Sequence, residues 1–204
     1  MDEGSAVELT RPWLVDRGLA ALDELGWDDC IVVADHFGVA TAIRIATARQ
    51  TTVKGLALGH AAPSWDSSGE RPPINGQVWA AMVGLLNTDY NNFVRNALSQ
   101  LTQGSYDEEL ADEMLERVPV SFMRDAWELI GSEHEPIAEL LTGVDCPLLF
   151  ARHGGCLLFN DEGFEDLAAA FPEARTMPTE KAPSADPGFA AAIRSFSEET
   201  AAGG

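Results

Sequence analysis

Three histidines carry most of the chemistry this chain could perform. His36 follows "CIVVAD", His60 follows "VKGLALG", and His153 closes "PLLFAR". Each stands where a short apolar run ends, and Asp35 directly precedes the first. Imidazole is the side chain that exchanges protons near neutral pH. Held by a carboxylate or a second imidazole, it can serve as a general base. His36 is the candidate base, with Asp35 or His60 to orient it. Proton abstraction, elimination, decarboxylation and ring closure all start from such a group. A second chemistry stays open. Three imidazoles and the thiol of Cys156 are ligand types that zinc accepts, but their long spacing matches no compact metal motif, so no metal is assigned. A third reading makes these residues the polar rim of a vestigial pocket. His134, in "GSEHEP", reads as an exposed loop residue, and Cys30 and Cys146, at strand starts, as small packing groups.

Those groups need elements to hold them. Thr10 can cap a helix that carries Pro12 in its first turn, Val15, Leu19, Leu22 and Leu25 on one face, and Gly26 at its end. Cys30–Ala34 and Val53–Gly59 read as buried strands, with a helix through Val39, Ala42, Ile43 and Ala46 between them. The Pro-, Ser- and Gly-rich Pro63–Gln77 reads as a loop. Helices are expected at Val78–Leu86, Tyr90–Leu101, Asp107–Arg117, Val120–Ile130 and Ile137–Leu141. Strands follow at Pro147–Ala151 and Ala174–Pro178, and helices at Glu162–Phe171 and Pro187–Glu199. Strands alternating with helices imply an α/β fold: a mostly parallel sheet of about four strands with flanking helices, and a helical lid between strands two and three. In such sheets ligands bind beyond the carboxyl ends of the strands, the end at which all three histidines lie. The expected division is core at 1–62, lid at 63–143 and core again at 144–204.

The 204 residues suit one domain with an inserted lid. A formal net charge of −20 opposes nucleic acid and anionic membrane surfaces. The three cysteines form no CxxC pair and suggest no disulfide framework. No signal-like segment or membrane-length apolar run is present in the sequence, so a cytoplasmic location is expected.

From about Thr10 to Phe196, the pattern resembles the C-terminal half of the α/β-hydrolase family. The most telling pieces are the elbow "ADHFG" and "CPLLFARHGG". The family's elbow reads small–x–nucleophile–x–small, which here is Ala34–Asp35–His36–Phe37–Gly38. The resemblance places His36 at the nucleophile position, the acid position at or near Cys156, and the catalytic histidine in Thr179–Pro187, which contains none. It therefore implies a degenerate triad. It further implies that strands preceding the elbow, with one oxyanion-hole N–H, are not encoded.

The expected function is non-hydrolytic binding of a small apolar or carbonyl-containing molecule between core and lid. His36, Asp35 and His60 are the candidate catalytic set, and His153, Cys156, Phe37 and Trp65 the candidate ligand-binding set. No cofactor is expected. One alternative is a lyase, cyclase or atypical hydrolase that uses His36 as base. Another is an interaction protein that completes its sheet on a partner, because the apolar Cys30–Ala34 has no Lys, Pro or charge to blunt an open edge. A homodimer is the expected assembly, or a partner supplying the missing half. Trp79 and Trp127 read as packing residues, and a histidine at a strand-to-helix turn should sit outside the core.

Overall fold

The computed structural model describes residues 8–62, 64, 75–132, 135–153 and 162–203. Helix α1 (Arg11–Leu25) begins at Thr10, whose side chain accepts from the Trp13 N–H, and ends at Gly26 in the left-handed conformation. A glycine there bears no Cβ penalty. Strand β1 (Cys30–Asp35) leads through a single 3-10 turn (His36–Gly38) into α2 (Val39–Ala48), and β2 (Val53–Gly59) follows.

After β2 the chain leaves the sheet for α3 (Gly76–Thr88), α4 (Tyr90–Thr102), α5 (Glu108–Arg117) and α6 (Val120–Ser132). It returns through the short α7 (Ile137–Leu141) to β3 (Leu148–His153), α8 (Glu162–Ala170), β4 (Arg175–Thr179) and α9 (Pro187–Gly203). The strands pair in the order β1-β2-β3-β4, all parallel. No helix among the described residues is long and apolar enough to cross a membrane.

The strand ends differ slightly from expectation. Apolar composition stops at Ala34 and Ala151, but the ladder continues, pairing Asp35 with Gly59 and His153 with Thr179. Backbone pairing, not hydrophobicity, sets the last rung, and it carries the polar residues into the rim.

Side chains alternate across the sheet. Leu56, Leu58 and Phe150 pack on one face with Val39 and Ile43 of α2, Ile137 and Leu141 of α7, and Phe164 and Leu167 of α8. Ala57, Leu149 and Ala151 face the other way, under Phe189 and Phe196 of α9. A third cluster lies within α3–α6: Met82, Leu86, Phe93, Val94, Leu98, Ala111 and Trp127. Tryptophans 79 and 127 stack at 4.2 Å.

Candidate functional site at the strand ends

The turn after β1 puts His36 at φ 50°, and His60 just after β2 is also at φ 50°. Both are left-handed conformations that a non-glycine residue adopts at a cost of about 1–3 kcal/mol, and such strain gathers at functional sites. It brings the two rings together: they stack with centroids 3.9 Å apart and 23° between planes. His153, at the end of β3, meets His60 edge-on at 5.4 Å. Neighbouring parallel strands thus bring three residues distant in sequence to one point. His36 is only 8% exposed. The expectation that a turn histidine sits outside the core does not hold, because the rim is covered.

Asp35 organises the pair. Its Oδ1 lies 2.9 Å from Nδ1 of His36 and 3.1 Å from Nδ1 of His60. Its Oδ2 accepts from the backbone N–H of Ser184 at 3.1 Å. Burial pushes the Asp35 carboxyl up, but hydrogen bonds from His36 and His60 outweigh it and hold the group well below the usual carboxylate range. An ionised carboxylate only accepts, so Nδ1 of each ring carries hydrogen. The lone pair of a neutral ring then sits on Nε2. Gly59 makes room for this arrangement, since a Cβ there would stand 2.6 Å from Asp35 Oδ1 and 2.8 Å from Pro183.

Ser184 is held by the loop after β4. Asp186 accepts from the N–H groups of Glu180, Lys181, Gly188 and Phe189. Slight burial raises its pKa, and these four bonds more than reverse that. The end of α4 is bonded to this loop. Ala182 N–H donates to Leu101 O at 3.1 Å, and Gln103, at the end of α4, bonds the Glu180 carbonyl and meets His153 Nε2 at 3.4 Å.

Between the strand ends and helices α3–α6 lies a cavity of about 350 Å³. Asp35, His36, Phe37, His153 and Ser184 line it from the sheet side; Met82, Phe93, Val94, Leu101, Met114, Met123 and Trp127 are among the residues that line it from α3–α6. The structure therefore brings His36, Asp35, His60, His153 and Phe37 together. Trp65 and Cys156, with His134, lie outside the described residues. Sequence reasoning missed Ser184, Gln103 and the three methionines. Trp127 is a packing residue among α3–α6, yet it also walls the cavity.

Asp35, His36 and His60 are also the described groups whose ligand atoms lie within 4.8 Å of one another. Two imidazoles on one tetrahedral ion, with bonds of about 2.1 Å, have ring centres roughly 5 Å apart. Stacked rings at 3.9 Å are closer than that. They suit two N–H donors sharing one oxygen better than two ligands sharing one ion.

Because the folded carboxyl is held low, Asp35 contributes stability that is present above the unfolded value of about 3.9 and lost as pH falls below it. Asp35→Asn carries no such proton. In urea unfolding, the stability margin of wild type over Asp35→Asn should therefore shrink between about pH 5 and pH 3. A margin independent of pH would contradict this placement of the carboxylate.

No protein-family model matches the chain, and no curated protein matches it in sequence. Solved structures do match in shape. The enol-lactonase from Burkholderia xenovorans LB400 aligns with TM-score 0.70 at 16% identity, covering 98% of this chain and 76% of that one. Esterase RhEst1 from Rhodococcus sp. ECU1013 aligns with TM-score 0.72 at 15% identity, covering 91% and 71%. A hydrolase from Oleispira antarctica aligns with TM-score 0.66 at 11% identity, covering 84% of this chain but 64% of its own, so the chain spans less than two thirds of that neighbour. With its parallel sheet, its strand–turn–helix at His36 and these neighbours, the chain has the α/β-hydrolase fold.

Proposed function

We propose that the chain binds a small, mostly apolar, carbonyl-bearing molecule between the strand ends and the lid, and that His36, oriented by Asp35, acts on it as a general base. The observation that carries this reading is the 2.9 Å approach of His36 Nδ1 to Asp35 Oδ1 in the wall of a mostly apolar cavity. A carboxylate on Nδ1 fixes the ring and puts the basic lone pair of its neutral form on Nε2. The reaction is read as non-hydrolytic because the elbow position carries His36 in place of a hydroxyl nucleophile, and Thr179–Pro187 contains no histidine. That shape neighbours are named an esterase and an enol-lactonase supports a carbonyl-bearing occupant.

The simplest such step is proton abstraction beside a carbonyl. The base takes the C–H proton, the electron pair moves onto the carbonyl oxygen, and the proton is returned. In deuterium oxide, 2-nonanone should exchange hydrogen beside its carbonyl faster with protein than in buffer, read by mass spectrometry. Absence of exchange above buffer would remove the base. Turnover of p-nitrophenyl butyrate that disappears in His36→Ala would instead make the protein a hydrolase.

A second reading concerns assembly, and a specific feature favours it. Strand β1 is an edge among the described residues, and beside it runs a groove of about 570 Å³. Leu9, Val32, Val33, Ile45, Phe122 and Leu129 line this groove, with Val33 48% and Phe122 46% exposed. An apolar strand with an open ladder is a template for pairing. We read the edge as covered by a second copy of the chain. Sedimentation at micromolar concentration should give a dimer that Val33→Lys dissociates. A monomer whose β1 amides are protected from exchange would overturn this, and a monomer that captures a strand-bearing partner would replace the second copy.

A further inference from the structure

We propose that the cavity selects its ligand by charge: it admits neutral molecules of roughly a dozen non-hydrogen atoms and rejects carboxylates and phosphates of equal size. This rests on reading the cavity as the ligand site. Among the described residues the cavity wall contains no lysine or arginine, and it presents the Asp35 carboxylate, held well below the usual range by hydrogen bonds from His36 and His60. The nearby guanidinium groups are engaged elsewhere. Arg11 donates to Phe37 O and Thr41 Oγ1, and Arg44 pairs with Glu135. An anion entering the cavity would shed its water, meet no lysine or arginine among the described wall residues and face Asp35. Outside the cavity, the net charge of −20 already repels it.

The polar groups can serve a neutral ligand. His36, His153 and Gln100 offer hydrogen-bonding atoms to a carbonyl or hydroxyl. The remainder of the ligand meets thioethers. Met82, Met114 and Met123 come from α3, α5 and α6, one from each helix. Methionine is unbranched and adapts to irregular shapes. Such a wall tolerates branching and ring size while it discriminates charge.

The test uses 2-nonanone and octanoate, which contain equal numbers of non-hydrogen atoms, in calorimetric titrations at neutral pH. The ketone should bind wild type about tenfold tighter or more. Gln100→Arg, which places a cation on the same wall, should tighten octanoate by about tenfold and weaken the ketone. Octanoate binding wild type as tightly as the ketone would overturn the proposal. So would a Gln100→Arg variant with the wild-type preference, because simple apolarity would then explain the selection. Ketone binding without hydrogen exchange would leave charge selection standing and remove His36 as base. Failure of both ligands to bind wild type would remove both readings.

Discussion

His36→Gln is expected to slow ketone hydrogen exchange by about 10²–10⁴, the usual worth of a positioned general base. Glutamine can still donate an N–H toward Asp35, but it has no basic nitrogen. It meets the same left-handed backbone at φ 50° as histidine does, so the strain of the turn is retained. Losing the stacked ring should change stability by about 1–2 kcal/mol, which urea unfolding would report separately from the rate. His60→Gln is the matched comparison. His60 donates to the same carboxylate oxygen and stacks on the same ring, but it does not line the cavity. Its substitution should slow exchange by about tenfold, through loss of positioning alone. Equal losses at the two positions would make the pair a structural unit. Wild-type exchange in His36→Gln would remove it from the chemistry altogether.

The sheet and the convergence of the histidines were legible because both follow from local rules. Apolar runs of five to seven residues between amphipathic helices define a parallel sheet, and residues that end such runs must gather at one edge. His36, His60 and His153 do so. What holds them was less legible. Asp35 was named as one possible orienter, but its sharing between two rings depends on the register that sets Asp35 opposite Gly59 and on φ 50° at two histidines. Neither carries a sequence signal of its own. Ser184 reaches Asp35 only because Asp186 folds the last loop around its carboxylate. An aspartate before a helix marks a cap in the sequence, yet the side chain to which that loop points is a matter of tertiary packing. The methionines of the cavity are equally silent, since any apolar residue at those helix positions gives the same periodicity. Burial of His36 was misjudged for a related reason: it is produced by covering elements, not by the turn itself.

A network behind the elbow carries the largest expected effect on stability. Glu135, just before α7, is 6% exposed and receives two arginines. Arg44 Nη2 lies 2.6 Å from Oε2, and Arg11 Nε lies 3.6 Å from Oε1. Arg11 is itself 8% exposed, and its Nη1 donates to Phe37 O at 2.7 Å and to Thr41 Oγ1 at 2.9 Å. Thus one carboxylate joins α1, α2 and the segment before α7, and Arg11 carries the link to the carbonyl of Phe37, the residue after His36. Glu135→Ala would take a carboxylate from beside a buried guanidinium. Such a loss costs about 3–5 kcal/mol, against about 0–1 kcal/mol for an exposed pair. Arg44 can turn toward water, being 34% exposed in its side chain, so most of the penalty falls on Arg11. Arg11→Met in the Glu135→Ala background should therefore recover part of the stability, because the buried charge that lost this carboxylate is removed with it. Urea unfolding of the two single variants and the double variant measures this coupling. A cost near 1 kcal/mol for Glu135→Ala, or strict additivity in the double variant, would show that the network holds little. If the coupling is present, Glu135→Ala should also slow ketone exchange in chains that remain folded, since Arg11 then grips the Phe37 carbonyl without the carboxylate that fixes its own position.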